Sequence, residues 1–92
     1  MVGRQAIYLA AARDVLRALP PNARRRVRAE IDALKVDPSR GEPLHGDLAG
    51  LLRARVGRYR VVYRLTPDAI QIWAVGPRST IYVDLERMRR SR

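Results

Sequence analysis

The sequence has 92 residues, which is enough for one small domain, and 47% of them are hydrophobic, which allows a packed core. It contains no cysteine, so no disulfide framework supports the fold. There are 19 Lys and Arg residues against 9 Asp and Glu, and the formal net charge is +10. Nearly all the cations are arginines, whose planar donors suit phosphate oxygens, so we expect a nucleic acid or another polyanion as partner. A GC-rich genome would also favour arginine over lysine, but it would not produce the excess of positive charge.

The N-terminal region shows no secretory pattern, because charged residues interrupt each apolar run. No stretch approaches the roughly 20 apolar residues that are needed to span a bilayer. We therefore expect a cytoplasmic protein that makes no membrane contact, with a single domain over residues 1–92.

The first part of the chain predicts a short strand over residues 5–9 and then two helices. Apolar residues recur at helical spacing in two stripes. Pro20-Pro21 separates the stripes, because proline ends one helix and suits the first turn of the next. Asp37-Pro38 ends the second stripe. The stripes consist of Leu9, Ala12, Leu16 and Leu19, and of Ala23, Val27, Ile31 and Leu34. Together they indicate an antiparallel helical hairpin.

The second part of the chain predicts a sheet. Three β-like runs follow a turn-rich connector over residues 39–50: the first alternates apolar and basic residues, and the other two contain many β-branched and aromatic residues. Gly57-Arg58 is a suitable two-residue hairpin turn, and Thr66-Pro67-Asp68 is a suitable turn after the second run. These short connections favour an antiparallel meander. The three runs cover residues 52–56, 59–66 and 69–75.

Beyond the meander, residues 80–83 suggest a last strand or extended piece, and residues 84–92 suggest a short basic helix or a mobile tail. The order of elements predicts an α+β domain. Its sheet is expected to be small and antiparallel, a three- to four-strand meander plus the N-terminal strand. The two N-terminal helices are expected to pack on one face of that sheet.

The stretch from Pro43 to Tyr82 resembles the RelE/ParE superfamily of type II toxins. The resemblance is carried by PLHGDL at 43–48, RARVGRYRVVY at 53–63, VGPR at 75–78 and Tyr82. It implies a toxin that is neutralised by a cognate antitoxin in a hetero-oligomeric complex. The RelE branch, which the motifs favour, cleaves mRNA on the ribosome, whereas the ParE branch inhibits DNA gyrase without being known as a nuclease.

The RelE-like branch implies a catalytic cleft formed here by Arg53, Arg55, Arg60, Arg78 and Tyr82. Residues two apart on a strand share one face, so Arg53 and Arg55 should project together, and Arg60 should lie near them just beyond the hairpin turn. Guanidinium groups can stabilise the charge that builds on a phosphorane, and a tyrosine can exchange a proton or stack on a base. Taken alone, strand arginines are more often a solvated face, and a lone tyrosine is more often a packing residue.

Other nuclease chemistries fit the sequence less well. His45 is the single histidine, which excludes a paired-histidine mechanism, and the acidic residues have no metal-ligand spacing. We therefore expect no metal and no cofactor, with attack by the 2′-hydroxyl of the RNA. Well-known nuclease relatives carry lysines at the positions of Arg53 and Arg55, and arginine cannot readily act as a base. A ParE-like gyrase inhibitor and a remnant that only binds its antitoxin or nucleic acid therefore remain alternatives.

Overall fold

The computed structural model describes residues 3–90, except the side chain of Arg89. Five strands form one sheet in the order β1-β5-β4-β3-β2, and three α-helices pack against it. The α+β class is confirmed. The elements are β1 Gln5–Tyr8, α1 Ala10–Ala18, α2 Pro21–Val36, β2 Glu42–Pro43, β3 Leu52–Val56, β4 Tyr59–Leu65, β5 Ala69–Pro77 and α3 Ile81–Arg90, with short 3₁₀ turns at Pro38–Arg40 and Gly46–Leu48.

The meander is confirmed, and its register follows from the two turns. Gly57 adopts a left-handed φ of 59°, which glycine tolerates without a Cβ penalty, and Val56 pairs with Tyr59 across this turn. The backbone N–H of Thr66 donates to the carbonyl of Ala69 at 3.0 Å and closes the second turn. Strand β1 runs parallel to β5, so the complete sheet is mixed rather than wholly antiparallel.

The first core lies between the sheet and the helices α1 and α2, as the apolar stripes predict. Val27 and Leu34 are fully buried there, together with Leu16 and the inward side chains of the meander. Leu9 departs from its predicted stripe: it precedes α1 and packs on the opposite side of the sheet. The two N-terminal helices therefore cover one sheet face, as expected.

Helix α3 covers part of the opposite face and forms a second core with the sheet. Ile81 and Leu85 are buried against Val62 and Trp73, and Met88 is partly buried beside them. The expectation of an extended piece over residues 80–83 is wrong. The β-branched residues of that short run favour a strand, but the apolar side chains at 81, 85 and 88 repeat with a helical period.

The tail was expected from residue 84 as either a short helix or a mobile segment. Its helix begins three residues earlier, and residues 91–92 of the tail lie outside the described residues. Within residues 3–90, no helix combines the length and the apolar character needed to cross a bilayer.

The connector over residues 39–50 contains one element that the sequence did not predict. Its residues Glu42–Pro43 form the two-residue edge strand β2, which pairs with β3. The fully buried Tyr63 fixes the start of this connector, because its hydroxyl donates to the carbonyl of Pro38 at 2.7 Å. Gly41 lies so close to the Tyr63 ring and hydroxyl that any Cβ there would clash. This contact fixes the position of the edge strand β2 beside β3.

Candidate active site

The face of the sheet opposite α1 and α2 carries the arginines that the strand spacing predicts. Ala54 and Val56 face the first core, so their neighbours Arg53 and Arg55 project from the other side of β3. In the register with β4, Arg55 lies directly opposite Arg60. Like charges directly opposite each other across a strand pair destabilise a sheet, so this arrangement favours an anion between or above them.

Arg53 is the centre of the hydrogen-bond network on this face. Its Nη1 donates to the Tyr82 hydroxyl at 3.0 Å, and its Nη2 donates to Glu42 Oε1 at 3.0 Å. These two bonds raise the pKa of the Arg53 guanidinium, which keeps it charged. Its Nε is buried and has no hydrogen-bond partner in the described part of the chain. The network brings together two of the five predicted residues, Arg53 and Tyr82, which are 29 positions apart in the sequence.

Glu42 is a residue of this site that sequence reasoning missed. The β2–β3 pairing places Glu42 opposite Arg53, and its carboxylate also lies 3.6 Å from Arg55 Nη2. The hydrogen bond from Arg53, reinforced by the charges of Arg53 and Arg55, lowers the pKa of the Glu42 carboxyl. An acid in a turn-rich connector gives little signal by itself. A strand partner for β3 would have pointed to it, but a two-residue strand has no recognisable period.

Arg60 differs from its neighbours in being buried, with 8% of its surface exposed. Its Nη1 donates to two main-chain carbonyls of the hairpin turn, those of Gly57 at 2.9 Å and Tyr59 at 2.8 Å. Within residues 3–90 no ion pair reaches it. Its charge is therefore held in place by neutral carbonyls and not cancelled, which leaves it able to interact with an incoming anion.

Arg78 follows β5 and lies beside the same hairpin turn. Its backbone N–H donates to the carbonyl of Arg58 at 3.0 Å, and Gly76, two residues earlier, pairs with Arg60. Its side chain is exposed. Among the described residues it makes no hydrogen bond or ion pair with the other four predicted site residues. The structure thus joins Arg53 to Tyr82, pairs Arg55 with Arg60, and places Arg78 at the margin.

A groove of about 390 Å³ opens at the edge of this cluster, between α2, the 3₁₀ turn at Pro38–Arg40 and strands β2 and β3. Arg40 and Glu30 close one side of the groove through a two-point ion pair with distances of 3.0 and 3.2 Å. The groove is lined by Glu30, Arg40, Glu42, Arg53, Ala54 and Arg55. Guanidinium groups outnumber carboxylates in it, so an anion such as a phosphodiester suits it better than a cation.

Two further expectations concern residues outside this cluster. His45 is exposed, and its side chain makes no capping hydrogen bond to the turn that follows it. Within residues 3–90, no three His, Asp or Glu side chains come together in a way that could hold a metal ion. Trp73 on β5 is a core residue, with 6% of its surface exposed in the second core.

This small α+β domain, with an arginine-rich sheet face and a tyrosine delivered by its C-terminal helix, has the architecture of a type II toxin. The family model for the ParE toxin of the type II toxin–antitoxin system parDE matches residues 6–82, and the chain belongs to this family within the RelE/ParE superfamily. A comparison with curated proteins gives no match.

Solved structures of related toxins share the fold. The toxin in the RelBE2 toxin–antitoxin complex of Mycobacterium tuberculosis is 34% identical, with a TM-score of 0.77, over 86% of this chain and 95% of that one. The archaeal RelE–RelB complex of Pyrococcus horikoshii gives 28% identity and a TM-score of 0.68, over 83% and 96% of the two chains. A mutant of the free Escherichia coli toxin RelE gives a TM-score of 0.77 at 19% identity, over 96% and 97%, which shows the shared fold alone.

Proposed function

We propose that this toxin is a ribosome-dependent mRNA endoribonuclease that inhibits translation. The observation that carries the proposal is the contact between Arg53 and the Tyr82 hydroxyl inside a cluster of guanidinium groups. A group that can transfer a proton and groups that can bind phosphate are thereby held together on one face. Glu42 offsets part of the charge of Arg53 and Arg55, but within residues 3–90 Arg60 and Arg78 have no ion pair, so positive charge remains available for a phosphate near this phenol.

The proposed reaction is an in-line attack by the 2′-hydroxyl on the adjacent phosphate. The bond from the 2′-oxygen to phosphorus forms, the bond from phosphorus to the 5′-oxygen breaks, and the products are a 2′,3′-cyclic phosphate and a 5′-hydroxyl. Arg60 and Arg78 stabilise the negative charge on the pentavalent phosphorane. Tyr82 gives its proton to the leaving 5′-oxygen, and water takes the proton of the 2′-hydroxyl. Arg53 positions the tyrosine and binds the phosphate beside Arg55.

The ribosome would supply what this open face lacks. The arginines bind phosphate without distinguishing bases, and no strong general base lies in the cluster. Presentation of mRNA in a fixed geometry would lower the entropic part of the barrier. The solved relatives from M. tuberculosis and P. horikoshii are complexes of a toxin with its antitoxin. A cognate antitoxin that covers these cations is therefore the expected protein partner, in a hetero-oligomer.

Inhibition of DNA gyrase is the second candidate, because the family model that matches residues 6–82 is that of the ParE toxin. Induction of the gene separates the two activities. A nuclease arrests translation and shortens mRNA, whereas a gyrase inhibitor elicits the DNA-damage response while translation continues.

The direct test is cleavage of a defined mRNA on translating ribosomes and free in solution. The proposal expects much faster cleavage on the ribosome, with 5′-hydroxyl ends. Arg60→Ala should lower the maximal rate on the order of 10²-fold, because it removes a charge that stabilises the transition state. Arg64→Ala is the matched control: it lies on the same strand and face, is exposed, and should keep the rate within a few-fold. Equal rates on free and ribosome-bound RNA, or 5′-phosphate ends, would reject the proposal.

A further inference from the structure

A second basic concavity lies on the other side of the sheet, between β1 and the helices α1 and α2. Its volume is about 200 Å³, and it is lined by Tyr8, Arg13, Leu16, Arg17 and Arg28. Arg13 and Arg17 are four residues apart on α1 and therefore share a face of that helix. Leu16 is buried and belongs to the first core, so the concavity has an apolar base and a cationic rim.

Within residues 3–90, none of the three guanidinium groups of this concavity forms an ion pair. Of the acids of α2, Glu30 pairs with Arg40, and Asp32 pairs with Lys35 at 3.0 Å and lies near enough to Tyr8 to affect its pKa. Within residues 3–90, no ion pair or side-chain hydrogen bond reaches Arg13 or Arg28. Three arginines outnumber the one carboxylate of Asp32, which is already paired with Lys35, so they raise the local positive potential and attract an anion.

The Tyr8 hydroxyl adds a neutral donor to the concavity. Burial raises its pKa, while the charges of Arg28 and Lys35 oppose that shift and Asp32 supports it. The phenol therefore stays protonated at neutral pH and can donate to an oxyanion. Three arginine forks and one hydroxyl are a donor set that suits the oxygens of a phosphate group.

We propose that this concavity binds a phosphate of the RNA backbone, as a second nucleic-acid contact behind the candidate active site. A volume of about 200 Å³ accommodates one phosphate group but not a folded peptide segment. Because the two basic sites lie on opposite faces of the sheet, a structured RNA that surrounds the domain can occupy both. That choice of ligand rests on the proposed ribosomal function, whereas binding of phosphate in the concavity does not.

The binding test uses a short single-stranded RNA as its first probe. Its 2′-hydroxyls are methylated, so they cannot attack the adjacent phosphates and the RNA is not cleaved. Inorganic phosphate is the second probe. Titration is followed by the NMR signals of the Tyr8 ring and the arginine side chains. The triple variant Arg13→Gln, Arg17→Gln, Arg28→Gln should lose the saturable shift at Tyr8 while shifts at Arg53 and Arg55 persist.

The matched control variant is Arg25→Gln, Arg64→Gln, Arg90→Gln, which removes the same charge from three exposed positions outside the concavity. It should retain the Tyr8 shift with affinity within about threefold, whereas the first triple variant should weaken RNA binding at Tyr8 by at least about tenfold, so that its shift no longer saturates in the same titration range. Tyr8→Phe keeps the packing and should weaken binding only a few-fold. Equal losses in the two triple variants would show general electrostatic attraction and overturn the proposal.

A functional measurement then identifies the ligand. In cleavage of ribosome-bound mRNA, the triple variant should raise KM about tenfold with little change in kcat, because the lost contact is remote from the reacting phosphate. If the toxin proves not to cleave RNA, the Tyr8 titration still decides the binding site. Loss of antitoxin binding without loss of RNA binding would assign the concavity to an acidic protein and reject the RNA assignment.

Discussion

Replacing Tyr82 by phenylalanine separates catalysis from positioning in the candidate site. The change removes only the hydroxyl, which accepts a hydrogen bond from Arg53 Nη1 at 3.0 Å. A hydrogen bond to a charged group contributes about 1.5–3 kcal/mol, and partial solvent access of the Arg53 side chain reduces this to roughly 1 kcal/mol. For a domain of this size, such a loss lowers Tm by about 4–8 °C.

The stability loss is too small to account for a loss of activity. A domain with about 5 kcal/mol of stability remains more than about 99% folded after losing roughly 1 kcal/mol. If Tyr82 protonates the leaving oxygen, the single-turnover rate on ribosome-bound mRNA should fall about 10²- to 10⁴-fold. The measurement is single-turnover cleavage of ribosome-bound mRNA by each variant, followed by thermal unfolding of each variant.

Tyr59→Phe is the control for removing a phenol from the same region. Tyr59 lies on β4 beside the hairpin turn and packs against the first core. Its replacement should leave the rate within a few-fold. Proton transfer by Tyr82 is refuted if Tyr82→Phe keeps more than about a tenth of the rate while Arg60→Ala loses 10²-fold. Tyr82 would then be a stacking or positioning residue.

Further predictions concern the elements that position the site. Glu42→Gln should bind RNA several-fold more tightly in an anisotropy assay, because its carboxylate competes with phosphate for Arg53. Since folding lowers the Glu42 pKa, this carboxylate stabilises the native state above its unfolded pKa of about 4.3, and the benefit disappears as pH falls through the lower folded pKa. The difference in unfolding free energy between wild type and Glu42→Gln should therefore shrink in acid, and a constant difference would contradict it. Tyr63→Phe should cost about 1–3 kcal/mol in urea unfolding, because the carbonyl of Pro38 loses its donor in a partly buried contact. Leu85→Ala should cost about 2–5 kcal/mol and lower the cleavage rate as well, because it loosens the helix that carries the tyrosine; an unchanged rate would show that α3 needs no firm docking.

The positions of the strand arginines could be predicted because the side-chain period of a strand is two. Once the Gly57-Arg58 turn is recognised, the register that brings Arg55 opposite Arg60 follows directly. The burial of Arg60 could not be predicted in this way. Alternation gives it the same face as the exposed Arg55, but its guanidinium folds back onto the carbonyls of the hairpin turn.

Two other features depend on tertiary contacts that the local sequence does not encode. Residues 80–83 have strand-like composition, but Ile81 and Leu85 both pack on the sheet, and their four-residue spacing places them on one face of a helix. Glu42 enters the site because the Tyr63 hydroxyl fixes the preceding connector and because β3 offers a free edge. Both errors arise in short segments, where packing outweighs intrinsic propensity.

The parallel pairing of β1 with β5 has a consequence for how the toxin is made. Gln5 pairs with Ala69, so the first strand has no partner until most of the chain has been synthesised. Pairings between residues this far apart in sequence slow folding, because the closure entropy is lost before the contacts form. The tyrosine of the site is added later still, on the following helix. A translation product that ends before residue 69 therefore lacks both the complete five-stranded sheet and the Tyr82 of the candidate site.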